Sequence, residues 1–272
     1  MPLSIHGRPD EETAVRVIHA ALDAGMTLID TADVYCLDDD DLGHNERLIK
    51  KALDGRSDRD QIVVATKGGL MRPKGAWVSN GRPAHLRQAC ERSLKALGVQ
   101  VIDLYQLHAP DSRVPFSESL GALAELQQEG KIRWIGLSNV GVSELEIARK
   151  LVTVVSVQNR LNPFDASPIV DGVVRYCHQA GITFLPHSPV GGHRGHGRVA
   201  DDPVLTQISQ KHGVTPQQVC LAWLLAMSPV MVPIPGASRV ASAESSARAP
   251  SFDLDVEDKK ALIARFPWPG LN

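Results

Sequence analysis

Neither sign of charge dominates this sequence of 272 residues. Its 29 Lys and Arg against 31 Asp and Glu leave a net charge of −2, with a pI of about 6.5. That balance offers no electrostatic footprint for nucleic acid or for an acidic membrane surface. Cysteine is sparse too. Cys36, Cys90, Cys177 and Cys220 fall in no CxxC or zinc-like spacing, which makes them ordinary thiols of a reducing compartment. The opening residues MPLSIHGRPDEE have neither a basic start nor an apolar stretch, so no signal peptide is visible and a cytoplasmic protein is expected. No Pro/Gly/Ser linker or shift of composition divides the chain, and residues 1–272 are expected to form a single domain.

Charge is missing altogether from Val214 to Ser238, the one stretch to weigh as a membrane span. Pro229, Pro233 and Pro235 interrupt it, and its character changes midway. VCLAWLLAM suits a buried helix and VMVPIPGAS a strand running into a turn, so a core helix followed by a strand is expected.

What the sequence does contain is a cadence played four times: a helical pattern, a glycine, then a short apolar run. The instances are LDAG-MTLID, KALG-VQVIDLY, QQEG-KIRWIG and CHQAG-ITFLP. Gly25, Gly98, Gly130 and Gly181 stand where a helix end wants a left-handed residue without a Cβ penalty. The helices before them read as amphipathic, through Val15, Ile18 and Leu22, then Leu86, Cys90, Leu94 and Leu97, then Leu120, Leu123 and Leu126. Asp10 suits the N-cap of the first and Pro83 the first turn of the second. The strands are nearly continuous in apolar character, as when both faces are covered, and fall near 26–31, 61–67, 101–107, 132–137, 154–159, 182–187 and 230–235. Strands alternating with helices predict parallel pairing through right-handed crossovers. Seven is one short of a closed barrel. Either Leu3–Ile5 is a stub of strand one, or the chain as given lacks its natural start.

In a parallel barrel the C-terminal strand ends gather on one face, where active sites are built. The apolar runs end in Asp30 and Tyr35, Lys67, His108, Ser138 and Asn139, Gln158 and Asn159, His187 and Ser188, and Ser238 and Arg239. Strand ends meet solvent and are polar for that reason alone, so no single one of these is diagnostic. The set as a whole is harder to dismiss. A carboxylate at Asp30 after so apolar a run needs a partner, and Lys67 on the neighbouring strand can supply it. Lysine held as an ammonium beside Tyr35 is expected to lower the phenol's pKa toward working pH, and His108 can orient a carbonyl or help carry the proton. These four make proton-delivery machinery for carbonyl reduction and contain no hydride source.

The motifs LIDTADVY, VVATKGG, LYQLHAP, IGLSN, VQNRLNP and IPGASR, in that order across almost the whole chain, resemble the aldo-keto reductase family. The resemblance implies a (β/α)8 TIM barrel, here with its first strand truncated or very short. It implies NADPH bound in extended form without a Rossmann GxGxxG, and reduction of an aldehyde or ketone to an alcohol. It makes Tyr35 the general acid, Lys67 and Asp30 its tuning pair and His108 the substrate orienter. Ser138, Asn139 and Gln158 match ligands of the nicotinamide carboxamide. His187 takes the stacking position on the nicotinamide, Ser188, Val190 and Gly191 line the pyrophosphate, and Ser238 and Arg239 meet the adenosine 2′-phosphate, which favours NADPH over NADH. Trp77 is the candidate apolar wall of the substrate pocket, with packing on the scaffold as its other reading.

Three positions depart from the family pattern. His187 replaces a stacking tyrosine, Ser245 and Ser246 stand where many members use Glu and Asn on adenine, and a β-hairpin and full first strand are missing ahead of MPLSI. The last departure suggests a natural protein extending upstream of Met1. The rival enzyme reading is a barrel hydrolase holding a metal on Asp30, His108 and His187, and the rival of another class is a non-catalytic NADPH sensor of the same fold. The loop GGHRGHGR invites a metal reading on His187, His193 and His196, outweighed by a flexible lid near the cofactor phosphates. Glu46 and the acid run Asp38–Asp41 read as structural and solvated respectively. The carbonyl substrate and the oligomeric state are not legible.

Overall fold

The four glycines carry the cadence into three dimensions. Gly25, Gly98, Gly130 and Gly181 adopt φ of 93°, 69°, 73° and 65°, a region that strains any residue with a Cβ. Each follows a helix and leads into the next strand. The computed structural model describes residues 1–268, apart from the side chains of residues 193, 194 and 196. In chain order the elements are α1 (Glu11–Asp23), β1 (Leu28–Asp30), α2 (His44–Leu53), β2 (Val63–Gly68), β3 (Leu70–Met71), β4 (Val78–Ser79), α3 (Pro83–Leu97), β5 (Ile102–Leu107), α4 (Phe116–Gln128), β6 (Ile132–Ser138), α5 (Val142–Ala148), β7 (Val154–Gln158), α6 (Ser167–Val170), α7 (Val173–Ala180), β8 (Thr183–Phe184), α8 (Gly192–Asp201), α9 (Pro203–His212), α10 (Pro216–Met227), α11 (Val240–Ala247) and α12 (Val256–Arg265).

Helix starts follow the sequence signals. Asp10 caps α1 by accepting from the Thr13 N–H, and Pro83 opens α3. The buried face of α1 is Ala14, Val17, Ile18 and Leu22, so Val17 takes the core position expected of Val15. In α4, Leu120, Leu123 and Leu126 are wholly buried, each stabilising the fold by about 1.5–3 kcal/mol.

The chain gathers into two compact units, Met1–Ser156 with Ala237–Val240, and Val157–Gly236 with the residues from Ala241 onward. In the first, β1, β2, β5 and β6 lie side by side in that order, followed by the start of β7. The β1/β2, β2/β5 and β5/β6 pairs are parallel. The register pairs Asp30 with Ala65, Lys67 with Gln106 and Gln106 with Gly136. Since strand side chains alternate with a period of two, Lys67, Gln106 and position 136 share one row, and Asp30 points to the same face. A small antiparallel ribbon, β3 with β4, stands beyond the end of β2.

In the second unit the end of β7 meets β8, the Leu185 N–H donating to Val157 O at 2.7 Å. Isolated parallel bridges join Phe184 to Met231 and His187 to Ile234. Its core centres on Trp223, Leu205, Leu262 and Phe266, with Trp223 stacked on Trp268 at 4.3 Å. The charge-free stretch divides as expected into α10 and the bridged residues Met231 and Ile234. No helix among the described residues is long and apolar enough to cross a membrane.

Two expectations are corrected. Leu3–Ile5 is not a strand stub, because residues 2–7 form turns and no described strand precedes α1. Ser4 is instead a buried hydrogen-bonding post, taking the Asn45 Nδ2 donor at 2.7 Å and meeting His44 Nδ1 at 2.8 Å. The stretch near 230–235 pairs through single bridges rather than a continuous ladder, since Pro229, Pro233 and Pro235 lack the N–H a ladder requires.

Candidate active site

Asp30 ends β1 and Lys67 lies next to the end of β2, on the same face of the sheet. The Lys67 ammonium is completely buried and has three donors to place. It donates to Asp30 Oδ2 at 2.6 Å, to Thr31 O at 2.7 Å and to Tyr35 Oη at 3.2 Å. Burial pulls the lysine pKa down, but Asp30 and Tyr35 together outweigh it and hold the group above its ordinary value. The other Asp30 oxygen, Oδ1, accepts from Gln106 Nε2 at 3.2 Å.

Tyr35 follows β1 on a short turn, its ring buried. His108, one residue past β5, meets it edge-on with centroids 5.8 Å apart. Trp77, just ahead of β4, meets it edge-on at 6.4 Å. Ser138 ends β6 and is buried; Asn139 follows in a left-handed conformation, φ 58°, its Nδ2 donating to His108 O at 2.9 Å and to Ser138 Oγ at 3.0 Å. Ser238 and Arg239 are exposed in the bend before α11.

In the second unit, Gln158 is buried at the end of β7. His187 Nδ1 lies 3.2 Å from Ser188 Oγ, and Ser188 is left-handed at φ 54°. Gly191, φ 90°, precedes the first residue of α8 and donates its N–H to Ser188 O at 3.0 Å. A Cβ on Gly192 would fall 2.9 Å from Ser188 Oγ, so the first position of α8 has no room for a side chain. Val190 packs against the core of this unit. Ser245 sits on α11, its Oγ 3.4 Å from Thr215 Oγ1.

Comparison with known proteins identifies the family of the whole chain. The family model described as Aldo/keto reductase family matches residues 2–264. The chain belongs to that family. An uncharacterised oxidoreductase of Schizosaccharomyces pombe is 35% identical over 250 residues, spanning 91% of this chain and 77% of that protein. A thermostable aldo-keto reductase solved with the inhibitor epalrestat is 32% identical, with a TM-score of 0.81 over 94% of this chain and 89% of its own. A glycerol dehydrogenase from Gluconobacter oxydans is 29% identical, with a TM-score of 0.83 over 97% and 89%. This aldo-keto reductase is an NAD(P)H-dependent oxidoreductase with an α/β fold.

One electrostatic expectation for the reductase is overturned. Tyr35 is not drawn toward neutral pH: burial raises its pKa above the ordinary 10.0, Lys67 pulls the other way, and Asp30 adds to the rise. A phenol this dry loses more by becoming an anion than one cation, partly offset by its own carboxylate partner, returns. The metal readings also lose ground. The place a metal would take on Asp30 is filled by the Lys67 ammonium, and the side chains of His193 and His196 lie outside the described residues. Among the described residues the one gathering of three candidate ligands is His212, Asp255 and Asp258, where Lys211 already supplies the cation.

The acid run does more than face solvent. Asp38 accepts from the Asp40 N–H, Asp39 from the Arg72 N–H, and Asp41 pairs with Arg8. Glu46 is structural as expected, buried and accepting from Thr66 Oγ1 at 2.6 Å. Two residues escaped the sequence reading. Gln106 was legible in principle, as a polar residue in the middle of the buried strand LYQLH. Arg72 lies in a loop, where no periodicity marks it.

Proposed function

We propose that this chain reduces an aldehyde or ketone to an alcohol with NADPH, on an eight-stranded (β/α) barrel of the family type. The observation that carries the reading is the Lys67 ammonium bonded at once to the carboxylate of Asp30 and the hydroxyl of Tyr35.

The residues present fit the cofactor. Ser138, Asn139 and Gln158 offer the mixed donors and acceptors an amide requires, and Asn139 is held in a strained conformation rather than a relaxed one. His187 supplies a flat ring. Ser188, Val190 and Gly191 lie just ahead of α8, and a helix start suits a pyrophosphate. Ser238 and Arg239, exposed ahead of α11, suit a 2′-phosphate, which favours NADPH over NADH. When bound, NADPH supplies a hydride to the carbonyl carbon.

The chain's own residues handle the proton. Tyr35 Oη carries it at working pH, because burial keeps the phenol neutral. The oxygen of a carbonyl receiving hydride becomes far more basic than a phenolate, so Oη–H is an adequate donor. The phenolate left behind lies against Lys67, which stays charged through Asp30. His108, beside the tyrosine ring, orients the carbonyl, and Trp77 walls the substrate. Reprotonation of Tyr35 from solvent completes the cycle.

The test is oxidation of NADPH, and of NADH, against a panel of aldehydes and ketones. Turnover with preference for NADPH supports the reading. Tight NADPH binding without turnover across the panel would replace it with the sensor reading.

A further inference from the structure

Arg72 is 6% exposed, and no carboxylate among the described residues forms an ion pair with its guanidinium. Its Nη2 donates to Leu37 O at 3.0 Å and Cys36 O at 3.3 Å, while Nε and Nη1 find no hydrogen-bond partner among the described residues. A buried, unpaired cation is costly, so the contacts it does make define its role. Two of them hold the turn that directly follows Tyr35. A third is to Trp77, with Arg72 Cζ 3.8 Å from the centroid of the indole.

Trp77 itself is 48% exposed. Trp134 is equally open, so it is the place of Trp77 beside Tyr35, rather than its exposure, that marks it. The Trp77 indole is half open to solvent, edge-on to Tyr35, and its ring is covered by a cation that prevents it from swinging. Arg72 thus ties the Tyr35 turn to the Trp77 segment and fixes the angle between proton donor and indole.

We infer that Arg72 is a specificity-setting positioning residue: by clamping Trp77 beside Tyr35 it builds a rigid flat wall that selects carbonyl substrates bearing a planar apolar group, an aryl ring above all, next to the carbonyl. The inference rests on the reductase reading and deepens it. A buried cation stacked on a half-open indole contributes enough to shift binding by up to roughly tenfold, and that shift should appear only for substrates that use the wall.

The experiment compares the wild type with Arg72→Met, Arg72→Lys, Trp77→Leu and the double variant Arg72→Met/Trp77→Leu. For each, kcat/KM is measured with NADPH on 4-nitrobenzaldehyde and on propanal, and the Kd of benzamide, a planar carbonyl that is not reduced, is measured by calorimetry. Arg72→Met should lower the nitrobenzaldehyde-to-propanal ratio roughly tenfold, mainly through KM, and weaken benzamide by a similar factor. Arg72→Lys should recover part of both, and in the Trp77→Leu background the loss of Arg72 should add little. Equal losses on the two aldehydes, or an Arg72 effect undiminished when Trp77 is gone, would overturn the inference. If the wild type reduces neither aldehyde, the reductase reading fails, and the benzamide Kd series still decides whether Arg72 acts through Trp77.

Discussion

Lys67 Nζ and Tyr35 Oη stand 3.2 Å apart although 32 residues separate them in the chain. The lysine's remaining contacts, to Asp30 and Thr31 O, keep it from turning elsewhere. Tyr35→Phe removes the hydroxyl and nothing else from this arrangement. It should lower kcat by about 10²- to 10⁴-fold, the usual worth of a positioned acid, while the Kd of NADPH measured by fluorescence stays within about twofold. Unchanged turnover would remove Tyr35 from the chemistry.

The pH behaviour follows from the direction of the tyrosine shift. Reduction needs the neutral phenol, and burial holds its pKa above the ordinary 10.0. The kcat for reduction should therefore have no alkaline limb due to Tyr35 below that value. Oxidation of the alcohol with NADP⁺ needs the phenolate and should keep climbing with pH toward it. Lys67 works against the rise, so Lys67→Met should move the tyrosine titration, followed by its ultraviolet difference spectrum, to still higher pH. A downward move would mean that Lys67 does not oppose the rise.

Much of this was readable in the chain because the cause was local. Gly25, Gly98, Gly130 and Gly181 mark helix ends through their own backbone freedom, and Asp10 and Pro83 mark helix starts through their own side chains. The ends of β1 and β2 could be placed from apolar runs, which brought Asp30 and Lys67 to one face. What was hidden depends on burial and on distant partners. The Tyr35 shift turns on how dry the ring is, which a sequence does not record. Arg72 acquires its role only where a loop folds its guanidinium onto Trp77. Ser4, a strand stub in one of two readings, becomes a post because Asn45, some forty residues away, needs an acceptor and His44 Nδ1 meets the same hydroxyl.

Behind the site, Asp33 is buried with Glu46 close by and Arg92 Nη2 at 3.5 Å. Burial foremost, then Glu46, raise its pKa from 3.8 to about 8, against the pull of Arg92. The folded state thus holds a proton that the unfolded chain releases above its ordinary 3.8. Stability from this group is full below that point and is lost as pH rises to about 8. Asp33→Asn keeps the shape without the ionisation. Its Tm, followed by circular dichroism, should fall less than the wild type's between about pH 5 and 8 and exceed it at the upper end. Parallel Tm curves would show that Asp33 does not titrate in the fold.

Gly136 leaves room for the side chain that steadies Asp30. A Cβ there would fall 2.8 Å from Gln106 Cγ and 3.3 Å from Leu104 Cδ1, and would collide with Ser156 Oγ. Gln106 cannot yield without withdrawing Nε2 from Asp30 Oδ1. Gly136→Ala should therefore destabilise the protein by about 1–3 kcal/mol in urea denaturation and also lower kcat, because a loosened carboxylate holds Lys67 less firmly. Adding Gln106→Ala removes the crowded Cγ. The double variant should regain part of the lost stability but none of the lost kcat, since the Asp30 contact is now gone outright. If kcat returned together with stability, Gln106 would be filler in the interior, and the second oxygen of Asp30 would not need it.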